Sequence, residues 1–167
     1  MKKTILVLIP ILLLISGCQT SKPSLGTSSR KSTDFSLEQM GGGKITLSEQ
    51  KGKVVLVDFW ATWCGPCKSA IPYIINIYNT YKDQGLIVLG ISLDQERSAL
   101  DKFIKDQPIP YPILYGDAQV ARAYDVQGIP TMVIFDKKGK IAFREVGFSE
   151  KNIDSLKTKV SQLLQQK

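Results

Sequence analysis

Two apolar runs constrain this chain more than any other feature: Val54-Val55-Leu56-Val57-Asp58-Phe59-Trp60 and Leu86-Ile87-Val88-Leu89-Gly90-Ile91-Ser92. Neither alternates between apolar and polar residues. A half-exposed strand alternates, so each run reads as a strand covered on both faces. Between them, Ile71, Ile74, Ile75 and Tyr78 recur at helical spacing, which predicts a helix over Lys68 to Lys82 with Pro72 kinking it from within. Strand, helix, strand in this order implies a right-handed parallel crossover. The chain has 167 residues, 43% of them hydrophobic, enough for one packed core with layers on both faces of such a sheet.

The flanking segments extend the same plan. Asp34-Phe35-Ser36-Leu37 and Lys44-Ile45-Thr46-Leu47 surround Gly41-Gly42-Gly43, the pattern of a hairpin. Ser98 to Asp106 reads as a helix through Leu100, Phe103 and Ile104, Ile113 to Tyr115 as a short strand, and Asp117 as the cap of a short helix ending at Tyr124. Gly128-Ile129-Pro130 precedes the strand Thr131 to Phe135, and the turn Asp136-Lys137-Lys138-Gly139 joins it to an antiparallel partner, Lys140 to Val146. Ser149 caps a last amphipathic helix bearing Ile153, Leu156, Val160, Leu163 and Leu164. The expected fold is an α/β sandwich, a mixed central sheet flanked by helices.

Charge and composition exclude several chemistries. The net charge is +7, but the charges are scattered, and no basic cluster or aromatic ladder supports nucleic-acid binding. Solvation of a surface near an anionic bilayer accounts for it. There is no histidine, which excludes a Ser-His-Asp triad, a Cys-His dyad and any histidine metal site.

Residues 1–17 carry Lys2 and Lys3, an apolar run from Ile5 to Ile15, then Ser16 and Gly17, the pattern of a secretory signal peptide. The run is shorter than the roughly 20 apolar residues that span a bilayer, although an uncleaved anchor is an alternative. Ile15-Ser16-Gly17-Cys18 resembles a bacterial lipobox. That resemblance implies cleavage before Cys18 and a lipid anchor on its sulfur, with a bilayer as partner. An ordinary signal peptide with an unrelated cysteine is the competing interpretation. Residues 18–33 are rich in Ser, Thr, Lys, Pro and Gly and read as a lipidated N-terminus and flexible tether, leaving 34–167 as the globular domain.

With Cys18 set aside, Cys64 and Cys67 remain as a pair spaced by Gly65-Pro66. A helix beginning near Cys64 puts both sulfurs on one face, and its positive end and free N–H groups favour a thiolate at Cys64. Cys67, further in, is expected to be buried and to resist ionising. The asymmetry makes Cys64 the exposed nucleophile on a substrate disulfide and Cys67 the thiol that resolves the mixed disulfide. Pro66 suits the first turn because it lacks an N–H. Asp58 interrupts an apolar strand. It is either a strand-end residue reaching solvent or a lysine, or a buried acid that accepts the Cys67 proton. A structural disulfide and a zinc or copper site are weaker readings: the closed loop is small, and two thiolates lack further ligands.

The stretch Val57 to Lys68 resembles the thioredoxin active-site signature, Pro72 falls where thioredoxins place a helix kink, and Ala123 to Thr131 resembles their cis-proline segment. The resemblance runs from about Phe35 to the C-terminus and implies a thioredoxin-like sandwich. It implies Cys64 as nucleophile, Cys67 as resolving thiol, a redox disulfide between them, and Asp58 as the buried acid. Trp63, Gly65, Pro66, Ile129 and Pro130 become substrate contacts, with Pro130 cis and the Ile129 backbone pairing with substrate. No metal and no cofactor beyond the disulfide is implied. An ordinary trans proline opening an edge strand is the alternative for Pro130.

The export segment, the N-terminal hairpin and a central insertion between Asp94 and Asp117 resemble the membrane-anchored TlpA/ResA-type thioredoxins. These reduce disulfides outside the cytoplasmic membrane, often for cytochrome c maturation. Several members carry another dipeptide between the cysteines and a glutamate near the active site. Here the dipeptide is Gly-Pro, Asp94 and Glu96 lie in the matching region, and the lysine that thioredoxins place near the buried acid is missing from Ile91-Ser92-Leu93-Asp94. The expectation is an extracytoplasmic, membrane-anchored, monomeric thiol–disulfide oxidoreductase that reduces exported proteins, apocytochrome c among the candidates, with electrons from a membrane thiol donor. A peroxiredoxin-like thiol peroxidase and a non-catalytic binding module are the rivals. The first needs a Thr and an Arg around its cysteine, and none flank Cys64 as such a cluster.

Overall fold

The computed structural model describes residues 34–166. The expected leader, Cys18 and the tether lie outside the described residues. Strand β3 (Val54–Trp60) is buried at every position, and it pairs in parallel with β4 (Leu86–Ser92) and antiparallel with β6 (Thr131–Phe135). β5 (Ile113–Tyr115) extends the sheet beside β4, and β7 (Ile141–Val146) pairs with β6, giving the order β5-β4-β3-β6-β7. β1 (Ser36–Glu38) and β2 (Lys44–Thr46) form a separate hairpin. It docks at the β5 edge, where the Met40 N–H donates to the Ile113 carbonyl at 2.8 Å.

The pleat of β3 explains the two layers. Val54, Leu56 and Trp60 join one apolar cluster with Ala70, Ile71, Ile74 and Ile77 of α1 (Gly65–Tyr81), Leu100 of α2 (Arg97–Asp106), and Ile153, Leu156, Val160 and Leu163 of α4 (Glu150–Gln165). Val55, Val57 and Phe59 join the other, with Phe35, Leu47 and Val120 of α3 (Ala118–Ala123). Asp117 and Ser149 cap α3 and α4 through the N–H groups of Val120 and Asn152, at 2.8 and 3.2 Å. The expected insertion between Asp94 and Asp117 folds as α2 and β5, one more crossover that adds a parallel edge strand.

α1 begins at Gly65, three residues before the apolar spacing that opens at Lys68 and where a helix starting near Cys64 is expected, because Cys64 caps it and Pro66 fits the first turn. It runs as one helix through Pro72, which removes one internal N–H.

Gly116, between β5 and α3, is fixed by close approach. Its N–H donates to the Ser92 carbonyl at 2.8 Å, and a methyl there would fall 2.5 Å from Ile91 Cγ2 and 2.7 Å from the Ser92 carbonyl oxygen. Gly116→Ala is expected to lower stability by about 1–3 kcal/mol. Gly128→Ala, where a methyl meets nothing within 4 Å, should leave stability unchanged or slightly raised. Urea midpoints measure both, and equal midpoints for the two variants would contradict this packing.

Candidate active site

β3 ends at Trp60, and the chain turns through Ala61, Thr62 and Trp63 into α1. The Cys64 N–H donates to the Ala61 carbonyl at 3.1 Å, which closes that turn. Cys64 is the N-cap of α1, and its Sγ accepts the backbone N–H of Cys67 at 3.2 Å. Sulfur therefore takes the place of the usual capping oxygen. A thiolate there receives both the hydrogen bond and the positive end of the helix. Cys64 and Cys67 are joined by a disulfide. Cys64 is 5% exposed and Cys67 1%, so the expected order of burial holds, but the expected open exposure of Cys64 does not. The sulfur is tucked against the cis-proline segment, with Sγ 3.7 Å from the Ile129 carbonyl oxygen.

The Ile129–Pro130 peptide is cis. Two side chains hold its segment. Thr131 Oγ1 donates to the Gly128 carbonyl at 2.6 Å, and the Arg144 guanidinium donates to the carbonyls of Tyr124 and Asp125 at 2.6 Å each. Asp125 is the described non-glycine residue with positive φ, +51°, so Arg144 braces the bend that leads into the proline. The Gly147 N–H donates to the Pro130 carbonyl at 2.8 Å and ties β7 to the same place. Around the disulfide, Trp63 is 69% exposed, and a side chain at Gly65 would meet only open space.

Asp58 lies on the α1 face of β3, in line with Val54, Leu56 and Trp60. Its register partners are Gly90 on β4 and Met132 on β6. It is 1% exposed, and its Oδ1 is the buried side-chain oxygen without a hydrogen-bond partner among the described residues. Burial pushes its pKa up to about 7. Asp58 therefore does not reach solvent. Tyr111, 4% exposed, lies close enough that the Asp58 charge raises its own pKa, after the larger effect of burial. Gly90 makes room for this arrangement. A methyl there would lie 2.7 Å from Ile113 Cδ1, 3.2 Å from Trp60 Nε1 and 3.3 Å from Tyr111 Cε2. Gly90 and Tyr111 escape a reading of the sequence, since only strand register and the β4–β5 connection bring them to Asp58.

Asp94 sits at the active-site turn, where its carboxylate accepts from Thr62 and Ser92. The sequence hint was an acid placed just beyond a buried strand end, where side chains converge on a parallel sheet's C-terminal edge. Glu96 occupies the N-cap position of α2 without a side-chain hydrogen bond to it and is exposed, with Trp63 and Asp94 along the same 420 Å³ groove. Among the described residues no group of three or more His, Cys, Asp or Glu could hold a metal, and no helix is long and apolar enough to cross a membrane.

A mixed sheet with a helix-capping disulfide at its C-terminal edge, facing a cis-proline, defines a thioredoxin-fold dithiol–disulfide protein. Comparison with known proteins agrees. Residues 29–144 match the AhpC/TSA family. A thiol–disulfide oxidoreductase, ResA of Bacillus subtilis, is 38% identical over 109 residues, covering 65% of this chain and 61% of that protein's length. A Chlorobium tepidum structure described as a thiol:disulfide interchange protein DsbE superposes with TM-score 0.75 at 32% identity, over 78% of this chain and 93% of that one. The exposed lipoprotein thioredoxin Etrx1 of Streptococcus pneumoniae gives TM-score 0.67 at 28% identity, over 78% and 99%. The chain belongs to the AhpC/TSA family and stands within it among the ResA-type thiol–disulfide oxidoreductases.

The raised Asp58 pKa carries a stability consequence. The folded state holds a proton that the unfolded state releases above about pH 4, so stability falls as pH rises from about 4 to about 7. The whole effect is on the order of 4 kcal/mol. Asp58→Asn should therefore raise the thermal midpoint strongly at pH 8 and little at pH 4.5. An equal gain at both values would show that Asp58 is not a buried, proton-binding acid.

Proposed function

We propose that this chain is an exported, lipid-anchored thiol–disulfide oxidoreductase working mainly as a reductase. The observation that carries this reading is the capping of α1 by Cys64 Sγ, with the Cys67 N–H aimed at it from 3.2 Å. In the reduced form the Cys64 thiolate attacks a substrate disulfide. A Cys64–substrate disulfide forms, and one substrate sulfur leaves as a thiolate that takes a proton from solvent. Cys67 then gives its proton to Asp58 and attacks Cys64 Sγ. The Cys64–Cys67 disulfide forms, the second substrate thiolate leaves, and two electrons have passed to the substrate. Trp63, Gly65 and Pro66 form one side of the approach, and Ile129 and Pro130 the other.

The substrates fitting this reading are disulfides of exported proteins, with apocytochrome c one candidate, and a membrane thiol donor restores the dithiol. Cys18 serves as the lipid anchor, and residues 19–33 as the tether of a monomeric domain spanning 34–167. The lipobox-like Ile15 to Cys18 supports this placement, as does the likeness to a pneumococcal protein described as an exposed lipoprotein. A peroxidase reading finds less support. The Thr62 hydroxyl is engaged with Asp94, and the Arg144 guanidinium with two carbonyls, so neither is free to meet a peroxide at Cys64.

Cys67→Ser should hold substrate as a mixed disulfide on Cys64, recoverable after acid quenching, while Cys64→Ser should hold none. The Gly-Pro spacer predicts a potential near the thioredoxin value of about −270 mV. A measured value near −120 mV would reject the reductase direction, and trapping through Cys67 rather than Cys64 would reverse the assigned roles.

A further inference from the structure

The end of β4 is fastened to the turn that carries the nucleophile at two successive points. The Leu93 N–H donates to the Trp60 carbonyl at 2.8 Å. One residue on, Asp94 Oδ2 accepts the Thr62 N–H at 3.0 Å, and Asp94 Oδ1 accepts the Thr62 hydroxyl at 2.6 Å. The carboxylate is itself held, because Ser92 Oγ donates to Oδ2 at 2.8 Å and accepts the Asp94 N–H at 3.1 Å. Ser92 is 1% exposed and belongs to the rigid strand, so the clamp is anchored in the core.

We propose that Asp94 is a positioning residue for the redox reaction, acting through Thr62 on Cys64 and Trp63. This rests on the oxidoreductase reading above. Thr62 stands two residues before Cys64, and the adjacent Ala61 carbonyl takes the Cys64 N–H. The segment from Trp60 to Cys64 therefore has little freedom left: Trp60 is held by Leu93, Thr62 by Asp94, and Cys64 by Ala61 and by the Cys67 N–H. Trp63 is the residue between the last two holds. Its ring stands 69% exposed over a groove shared with Leu93, Gln95 and Ala99, so fixing Thr62 also fixes the wall against which a substrate chain lies. Charge-assisted bonds suit this task, since they are shorter and stronger than neutral ones. A hydroxyl residue is what the clamp needs, because its backbone N–H and its hydroxyl together donate to the two oxygens of one carboxylate.

Displacing a reacting group by a fraction of an ångström can lower a rate strongly. Asp94→Ala and Thr62→Val are expected to slow Cys64 attack by about tenfold, both on insulin and on the small disulfide 5,5′-dithiobis(2-nitrobenzoate). Rates are taken well below each variant's unfolding midpoint, so loss of stability alone leaves them unchanged. Thr62→Ser keeps both donors and should stay within about twofold of wild type. If Asp94→Ala does not fold, the Thr62 pair decides. If it folds, the double variant should be no slower than the slower single variant, because both remove one clamp. Unchanged rates in the folded variants, equal losses in Thr62→Ser and Thr62→Val, or multiplying losses in the double variant would overturn the proposal. Wild-type protein inert toward both disulfides would instead sink the oxidoreductase reading.

Discussion

The burial of β3 on both faces and both edges is the constraint on which the rest depends. Every residue from Val54 to Trp60 is covered. An unaccompanied strand of this kind is insoluble, so it requires a partner on each side and a layer above and below. β4 and β6 are those partners, and the two apolar clusters are those layers. Because β4 is parallel and β6 antiparallel, the C-terminal end of β3, the C-terminal end of β4 and the N-terminal end of β6 meet on one edge. Trp60 pairs with Ser92, and Phe59 pairs with both Ile91 and Thr131. Every residue assigned a part in the chemistry comes from one of those three ends or from the helix that leaves the first of them.

This convergence explains why the site is rigid without being large. Cys64 follows β3, Asp94 follows β4, and the cis Ile129–Pro130 peptide precedes β6. Each is within a few residues of a strand whose position the sheet fixes. A site built on strand ends inherits the precision of the register. The exposed parts are Trp63 and the open space beside Gly65.

The strong hydrophobic periodicities are legible in the sequence itself. β3, β4, β5 and β6 begin and end where their apolar runs do, because burial on both faces leaves no ambiguity of phase. The caps at Asp117 and Ser149 were equally plain, each being a local contact between a side chain and the N–H three residues on. Apolar spacing alone starts α1 only at Lys68, inside the helix, whereas the Cys-Gly-Pro-Cys stretch marks the first turn that the cysteine cap sets. The Cys64–Cys67 pair and Asp58 stood out as chemistry in an apolar setting. Asp94 was marked only by its region, and Gly90 and Tyr111 not at all. Their roles arise from pairing across the sheet and from the β4–β5 connection, and nothing in a local stretch records which residues stand opposite. The near closure of Cys64 likewise follows from the Ile129 segment, which is distant in sequence.

Asp58 joins stability to the proposed chemistry through one quantity. Free thiols hold their proton to about pH 8.5, and an ordinary aspartate to only about 3.9. Passing a thiol proton to such a carboxylate is strongly uphill. With the Asp58 pKa pushed up to about 7, the same transfer costs about 4 kcal/mol less. What closes the gap is desolvation. Gly90 and Met132 flank the carboxylate, and Trp60 and Tyr111 fill the space that Gly90 leaves open. A cation at this place would stabilise the fold by drawing the acid back toward its ordinary value, and would weaken it as a base to the same extent. The destabilisation of the folded state above neutral pH and the proposed basicity of Asp58 toward Cys67 are therefore one free energy, set by the burial of a carboxylate whose Oδ1 has no hydrogen-bond partner among the described residues.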